Sequence, residues 1–229
     1  MNVSLVIPAL NEEEPIANVV RECLATNIPS EIIVVDNGSD DRTAERAREA
    51  GAHVVTAPRG YGRACAAGVR AVSPECGVIV FLDGDGSDCP EFMSQLVDPI
   101  ARGERDFVIG SRTRGQRESG SMNFQQIFSG KIAGWLTSML YGVRYTDVCP
   151  FRAIRRASLE RLSMREETYG WNLEMQMKAA RAGLRILEIP VNHRCRTGGV
   201  SKVSGTLRGT FVAGARIIAT FLRIAFQSS

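Results

Sequence analysis

The chain has 229 residues, enough for one large domain with a substantial core and too few for two comfortable ones. Apolar residues make up 44% and the formal net charge is only +3, which argues for a globular protein and against a nucleic-acid partner. Six scattered cysteines form no CxxC pair, the start MNVSLVIP has no basic leader, and no stretch offers about 20 uninterrupted apolar residues, so the expectation is a reduced, cytoplasmic protein that neither is secreted nor spans a membrane.

In chain order, residues 3–7 read as an apolar strand stopped by Pro8, followed by a helix over 13–25 with Pro15 in its first turn. A second strand over 31–35 ends in Asp36, Asn37, Gly38, Ser39, Asp40 and Asp41. The next helix covers 43–50, with Gly51 as its stop. A strand over 53–56 and a small-residue helix over 63–71 come next, joined by a loop with Gly60 and Gly62, which suits either a phosphate cradle or a plain surface loop.

The stretch VIVFLDGDGSDCP over 78–90 organises the chain. Five apolar residues read as a buried strand that ends in Asp83, Asp85 and Asp88, spaced by Gly84, Gly86 and Ser87. Two carboxylates one residue apart at the end of a central strand suit a hard divalent cation bridging to substrate phosphates. The competing reading is an acidic turn that caps the helix over 90–102, a role expected of Asp88. A fifth strand over 106–110 completes a strand–helix alternation that implies βαβ units, hence an α/β fold with a mostly parallel central sheet and helices on both faces. The polar ends of the first, second and fourth strands then converge on one sheet edge. There Asp36 suits a base or ribose, while Pro8, Ala9 and Gly38 allow close backbone approach. No GxGxxG follows the first strand, which counts against a dinucleotide-binding oxidoreductase.

Residues 110–123 read as a mobile loop on this active face, with Arg112, Arg114 and Arg117 suited to phosphate oxygens or to plain solvation. An apolar helix with Trp135 is expected over 124–141, its apolar residues explained mostly by core packing, with an acyl or prenyl groove as the alternative. A strand is expected over 152–155, a helix over 171–182 starting with Asn172 and Glu174, and a strand over 184–189 closed by Pro190. A second Gly/Ser loop over 193–205 carries Arg194, Arg196 and Lys202. The helix over 206–226 is nearly all apolar or small apart from Arg208, Arg216 and Arg223, which share a sector of roughly 80°. A membrane interface, a homodimer contact or an ordinary core contact would each suit it.

Pro-Ala-Leu-Asn-Glu-Glu at 8–13, Asp-Asn-Gly-Ser-Asp-Asp at 36–41, Asp-Gly-Asp-Gly at 83–86, Gly-Ser-Arg at 110–112, Thr-Asp at 146–147 with Phe-Arg-Ala at 151–153, and Gly-Gly-Val-Ser-Lys at 198–202 together resemble a family 2 glycosyltransferase over essentially the entire chain. Within it the chain is most similar to the dolichol-phosphate mannose synthase and polyprenyl-phosphate glycosyltransferase branch. The resemblance implies a GT-A (Rossmann-like) catalytic domain over 1–205 with the amphipathic helix of 206–229 attached. It also implies a UDP- or GDP-hexose donor, Mg²⁺ or Mn²⁺, and inverting transfer to a polyprenyl phosphate, with peripheral contact at the inner membrane face. A soluble hydroxyl acceptor, or sugar-nucleotide binding without transfer, are the alternatives.

By the same resemblance Pro8, Ala9, Asn11, Glu12 and Asp36 bind nucleotide, Asp83 meets ribose or metal, and Asp85 is the main metal ligand. Arg112 faces the reacting phosphates, while Arg196, Ser201 and Lys202 close over pyrophosphate or acceptor. A lipid phosphate is already anionic and needs no base; a hydroxyl acceptor would need one, for which Asp147 and Glu174 are the candidates. The chain departs from the branch in having Gln125 and Gln126 where an arginine is usual, Ser87 in place of a glutamine, and Pro150 before Phe151 and Arg152.

Overall fold

The computed structural model describes residues 1–122, 124–198 and 221–223. The expected pyrophosphate residues Ser201 and Lys202, and the expected 206–226 helix apart from the helical 221–223, lie outside the described residues, as do the side chains of Gln125 and Gln126.

Seven strands form one sheet: β1 (Asn2–Ala9), β2 (Glu31–Asp36), β3 (His53–Thr56), β4 (Cys76–Phe81), β5 (Phe107–Ser111), β6 (Arg152–Arg155) and β7 (Ile186–Pro190). Their order is β3-β2-β1-β4-β6-β5-β7. Val3 to Ala9 on β1 and Val78 to Phe81 on β4 are buried along both faces of the pleat, which is why these strands read as continuous apolar runs. The helices that cover them are α1 (Ile16–Ala25), α2 (Thr43–Glu49), α3 (Tyr61–Ala71), α4 (Met93–Ala101), α5 (Phe124–Tyr141), α6 (Arg156–Leu162) and α7 (Trp171–Arg181). Helix α3 packs on β1 and β2, and α4 on β4, β5 and β6.

Four local expectations change. Pro8 does not stop the first strand: β1 pairs with β2 as far as Ala9 opposite Asp36, whereas its ladder with β4 ends at Val6. The proline therefore sits where one side of the ladder is already finished. Asp88 does not cap the following helix, which opens as a 3-10 turn over Pro90–Phe92 without a side-chain cap; its Oδ2 accepts the Asp83 N–H at 3.1 Å instead. Helix α6 was not foreseen, because it follows β6 directly with no capping residue.

The fourth change matters most for the site. Strand β6 lies between β4 and β5 and is antiparallel to both, while the other neighbouring pairs are parallel. The carboxyl ends of the six parallel strands share one edge, and the reversed β6 brings to that same edge the residues that precede it, among them Asp147.

Candidate active site

The shared edge opens into a cleft of about 1070 Å³. Its walls include Pro8, Ala9, Asn11 and Glu12 after β1, Asp83 and Asp85 after β4, Arg112 after β5, and Arg196 after β7. The sequence-expected residues that come together here follow β1, β4, β5 and β7. Asn11 takes a left-handed backbone (φ 51°), which an asparagine tolerates. Its Oδ1 accepts the Asp40 N–H at 2.8 Å, its N–H donates to Ser39 Oγ at 3.0 Å, and the Glu12 N–H donates to Thr43 Oγ1 at 2.8 Å. These bonds lock the loops after β1 and β2 together. Asp36 and Gly38 work inside that frame and are not among the cleft's lining residues. Asp36 Oδ1 accepts the Ser39 N–H at 3.1 Å, Gly38 turns the chain at φ +80°, and the neighbouring Asn37 reaches the cleft in their place.

Asp83 and Asp85 leave β4 already oriented. Tyr61, the first residue of α3, donates its hydroxyl to Asp83 Oδ1 at 2.9 Å. Ser87 donates both its N–H (3.0 Å) and its Oγ–H (2.6 Å) to Asp85 Oδ1. Each carboxylate keeps its Oδ2 without a hydrogen bond among the described residues. Burial, with Asp88 and Asp85 close by, pushes Asp83 up to about 8, and burial likewise raises Asp88 to about 6. Asp83 and Asp88 are thus buried close to one another and to Asp85.

The segment after β7 straps the cleft. Arg194 N–H donates to Ser87 O and Thr197 N–H to Asp85 O, while His193 exchanges backbone hydrogen bonds with the 116–118 stretch. The loop after β5 is thus irregular, as expected, but tied down through Glu118. Arg196 sits between two acids, 2.7 Å from Glu12 Oε1 and 3.9 Å from Asp85 Oδ2. His193 has no sequence-derived role, yet it lines the cleft; burial and Arg112 hold its imidazole down at about 4, so it is neutral near pH 7. Its position at the carboxyl end of a parallel strand was the one available signal.

Arg112 lines the cleft, but Nε and Nη2 form a two-pronged pair with Asp147, both at 2.8 Å, and the Arg112 N–H adds a third bond at 3.0 Å. Asp147 also accepts the Val148 N–H at 2.7 Å. It is 1% exposed, and although burial opposes it, Arg112 keeps its carboxyl below the usual range. With both oxygens engaged, Asp147 holds Arg112 in place and is not poised as a base. Glu174 is likewise buried and does not line the cleft. It accepts the Arg165 and Glu166 N–H groups and pairs with Lys178, so it orders the 163–167 loop rather than facing a reacting group.

Among the other sequence candidates, Arg114 turns to the Glu188 carbonyl and Arg117 is not a lining residue. Gly60 and Gly62 serve close packing: a Cβ on Gly62 would lie 2.1 Å from the Glu166 carbonyl oxygen. All six cysteines are free. Five are buried, and Cys195 is exposed at the cleft wall.

Comparison with known proteins bears on this arrangement. Residues 4–163 match the family described as "Glycosyl transferase family 2". An uncharacterized glycosyltransferase of Mycobacterium tuberculosis is 36% identical over 92% of this chain and 94% of its own length. The undecaprenyl-phosphate mannosyltransferase of Micrococcus luteus is 31% identical over 93% of this chain and 91% of that protein. Among solved structures, glucosyl-3-phosphoglycerate synthase of M. tuberculosis with Mn²⁺, UDP-glucose and phosphoglyceric acid superposes with a TM-score of 0.78 at 25% identity, covering 100% of this chain and 81% of that one.

Proposed function

This chain belongs to glycosyl transferase family 2 and has the GT-A fold, and from that premise we propose that it transfers a hexose from a UDP- or GDP-sugar to a polyprenyl phosphate, with inversion and with a divalent metal. The observation that carries the acceptor is the inventory of acids. Among the described residues the carboxylates lining the cleft are Glu12, Asp83 and Asp85. Glu12 is paired with Arg196, and the two aspartates are the metal pair. Neither carboxylate candidate for a base is available, and the His193 imidazole on the cleft wall, held down at about 4, is a poor proton acceptor, so an acceptor that is already anionic suits the cleft. The similarity to the undecaprenyl-phosphate enzyme supports the same reading.

Among the described residues, no group of three or more His, Cys, Asp or Glu side chains forms a metal cage. Two carboxylates one residue apart, each with its Oδ2 outside any hydrogen bond among the described residues, nonetheless fit Mg²⁺ or Mn²⁺, which is commonly completed by substrate phosphates and water. Such a cation would neutralise charge on the departing nucleoside diphosphate. Asp85 and Asp83 would hold it, with Ser87 and Tyr61 fixing which oxygen each presents. Asn11, Asn37 and the backbone of Pro8 and Ala9 would seat the nucleotide, with Asp36 and Gly38 shaping the loop beneath it. Arg112, anchored by Asp147, and Arg196 on its strap would face the phosphates, with Ser201 and Lys202 assigned to the same closure. Described helices include none long and apolar enough to cross a membrane; a lipid acceptor would place the enzyme at the cytoplasmic membrane face as a peripheral protein.

A soluble phosphorylated acceptor is the second reading, favoured by the structural likeness to glucosyl-3-phosphoglycerate synthase. Offering polyprenyl phosphate and phosphoglyceric acid in parallel, with UDP-glucose or GDP-mannose, separates the two. The expected product is glycosyl phosphate lipid whose anomeric configuration, read from NMR coupling, is opposite to that of the donor. Transfer to phosphoglyceric acid alone would replace the lipid reading.

A further inference from the structure

Helix α5 is built the wrong way round for a helix on a water-facing surface. The face that packs on the body is small: Gly130, Ala133, Gly134 and Thr137 are buried. A Cβ on Gly134 would lie 2.0 Å from the Tyr145 carbonyl oxygen, so the helix sits close down on its neighbour. The large apolar residues turn outward. Phe128, Ile132, Trp135 and Met139, spaced four, three and four residues apart, are 53%, 41%, 61% and 66% exposed, and Leu140 beside them is 50% exposed. That spacing is one helical stripe. An ordinary surface helix turns such a stripe to the core, so this one is suited to apolar surroundings on its outer side.

Charge says which surroundings. No acidic residue occurs between Glu118 and Asp147, an interval that holds Lys131 and Arg144. Phe221 packs against the cluster formed by Ala133, Leu173 and Met177, and Arg223 beside it pairs with Glu166 at 2.8 Å. An apolar stripe on a segment that carries Lys131 and Arg144 and no acid of its own complements the surface of an anionic bilayer, and an exposed tryptophan suits its interface.

We propose that the outer face of α5 is a membrane-docking surface that seats on an anionic lipid bilayer. The cleft wall at Gly120 and Ser121 lies immediately before this helix in the chain, so docking through α5 would bring the cleft to the bilayer surface. This last step rests on the lipid-phosphate reading above; the docking itself does not.

The test is co-sedimentation of the full chain with vesicles of phosphatidylglycerol and phosphatidylethanolamine, against vesicles of phosphatidylcholine alone. The wild type is expected to bind the anionic vesicles, and less so at high salt. The Trp135→Glu/Met139→Glu variant, whose changes sit on exposed positions, should keep its Tm and lose vesicle binding by about tenfold or more. Its transfer to a short, water-soluble isoprenyl phosphate should be unchanged. Failure of the wild type to bind, equal binding by the variant, or a wild-type dimer that the variant splits into monomers with vesicle binding intact would each overturn the proposal. If vesicle binding is lost as predicted and neither protein labels any lipid, the docking surface stands and the acceptor reading falls.

Discussion

Replacing Asp85 by alanine is expected to reduce sugar transfer by about 10²-fold or more while leaving the fold in place. The Asp85 Oδ1 is occupied by Ser87 and its Oδ2 has only Arg196 nearby, at 3.9 Å. Removing it costs the fold two local hydrogen bonds, about 1 kcal/mol each, which for a chain of this size is a fall of several degrees in Tm. Removing it costs the reaction an oxygen that would hold the cation against the diphosphate. Initial rates with labelled donor, paired with a Mn²⁺ titration followed by electron paramagnetic resonance, check both parts. Near-normal transfer by Asp85→Ala would place the chemistry elsewhere.

The second large effect is on stability. Asp147→Asn breaks a buried, two-pronged pair and leaves the Arg112 guanidinium, 13% exposed, without its counter-charge. Losing one partner of such a pair typically costs about 3–5 kcal/mol, or roughly 10 °C in Tm for a domain of this size. Transfer should fall as well, because Arg112 would no longer be held at the cleft wall. The pH dependence has a definite sign. Asp147 is held below the usual carboxylate range in the folded protein, so its contribution is full above the unfolded value of about 3.9 and is lost as pH falls through the folded value. The gap in stability between wild type and variant, followed by thermal unfolding from pH 7 downward, should hold steady to about pH 4 and narrow only below it. A gap that closed near pH 6 would assign the stabilisation to another group.

These two residues illustrate what the sequence can and cannot reveal. Asp85 was legible because a buried parallel strand writes itself as an uninterrupted apolar run, and the first polar residues after it must emerge at the ligand edge. The same logic located Asn11, Glu12 and Asp83, and also Asp36, which the cleft does not reach; Arg112 and Arg196 were singled out by the family resemblance, and the helices between the early strands came out within a few residues. Asp147 was visible as a carboxylate, but its partner was not. Its place depends on β6 inserting antiparallel between β4 and β5, a pairing between distant segments for which local pattern holds no record. The role expected of Glu174 changed for a related reason, since the backbone N–H groups it accepts belong to an irregular loop. Tyr61 and His193 were passed over because a tyrosine opening a small-residue helix and a lone histidine in a loop carry no spacing signal. The 124–141 helix was legible in extent and opaque in orientation: apolar residues occur on every side of it, and only the burial of its glycines shows which face turns inward.

The most direct test of the enzyme proposed here is the transfer of labelled hexose from UDP-glucose or GDP-mannose to polyprenyl phosphate, extracted into organic solvent, with Mn²⁺ or Mg²⁺ and again in excess EDTA. The account predicts label in the lipid with metal and none with EDTA, restored by adding the cation back. Label that persists undiminished in EDTA, or none in the lipid under any metal with either donor, would contradict it.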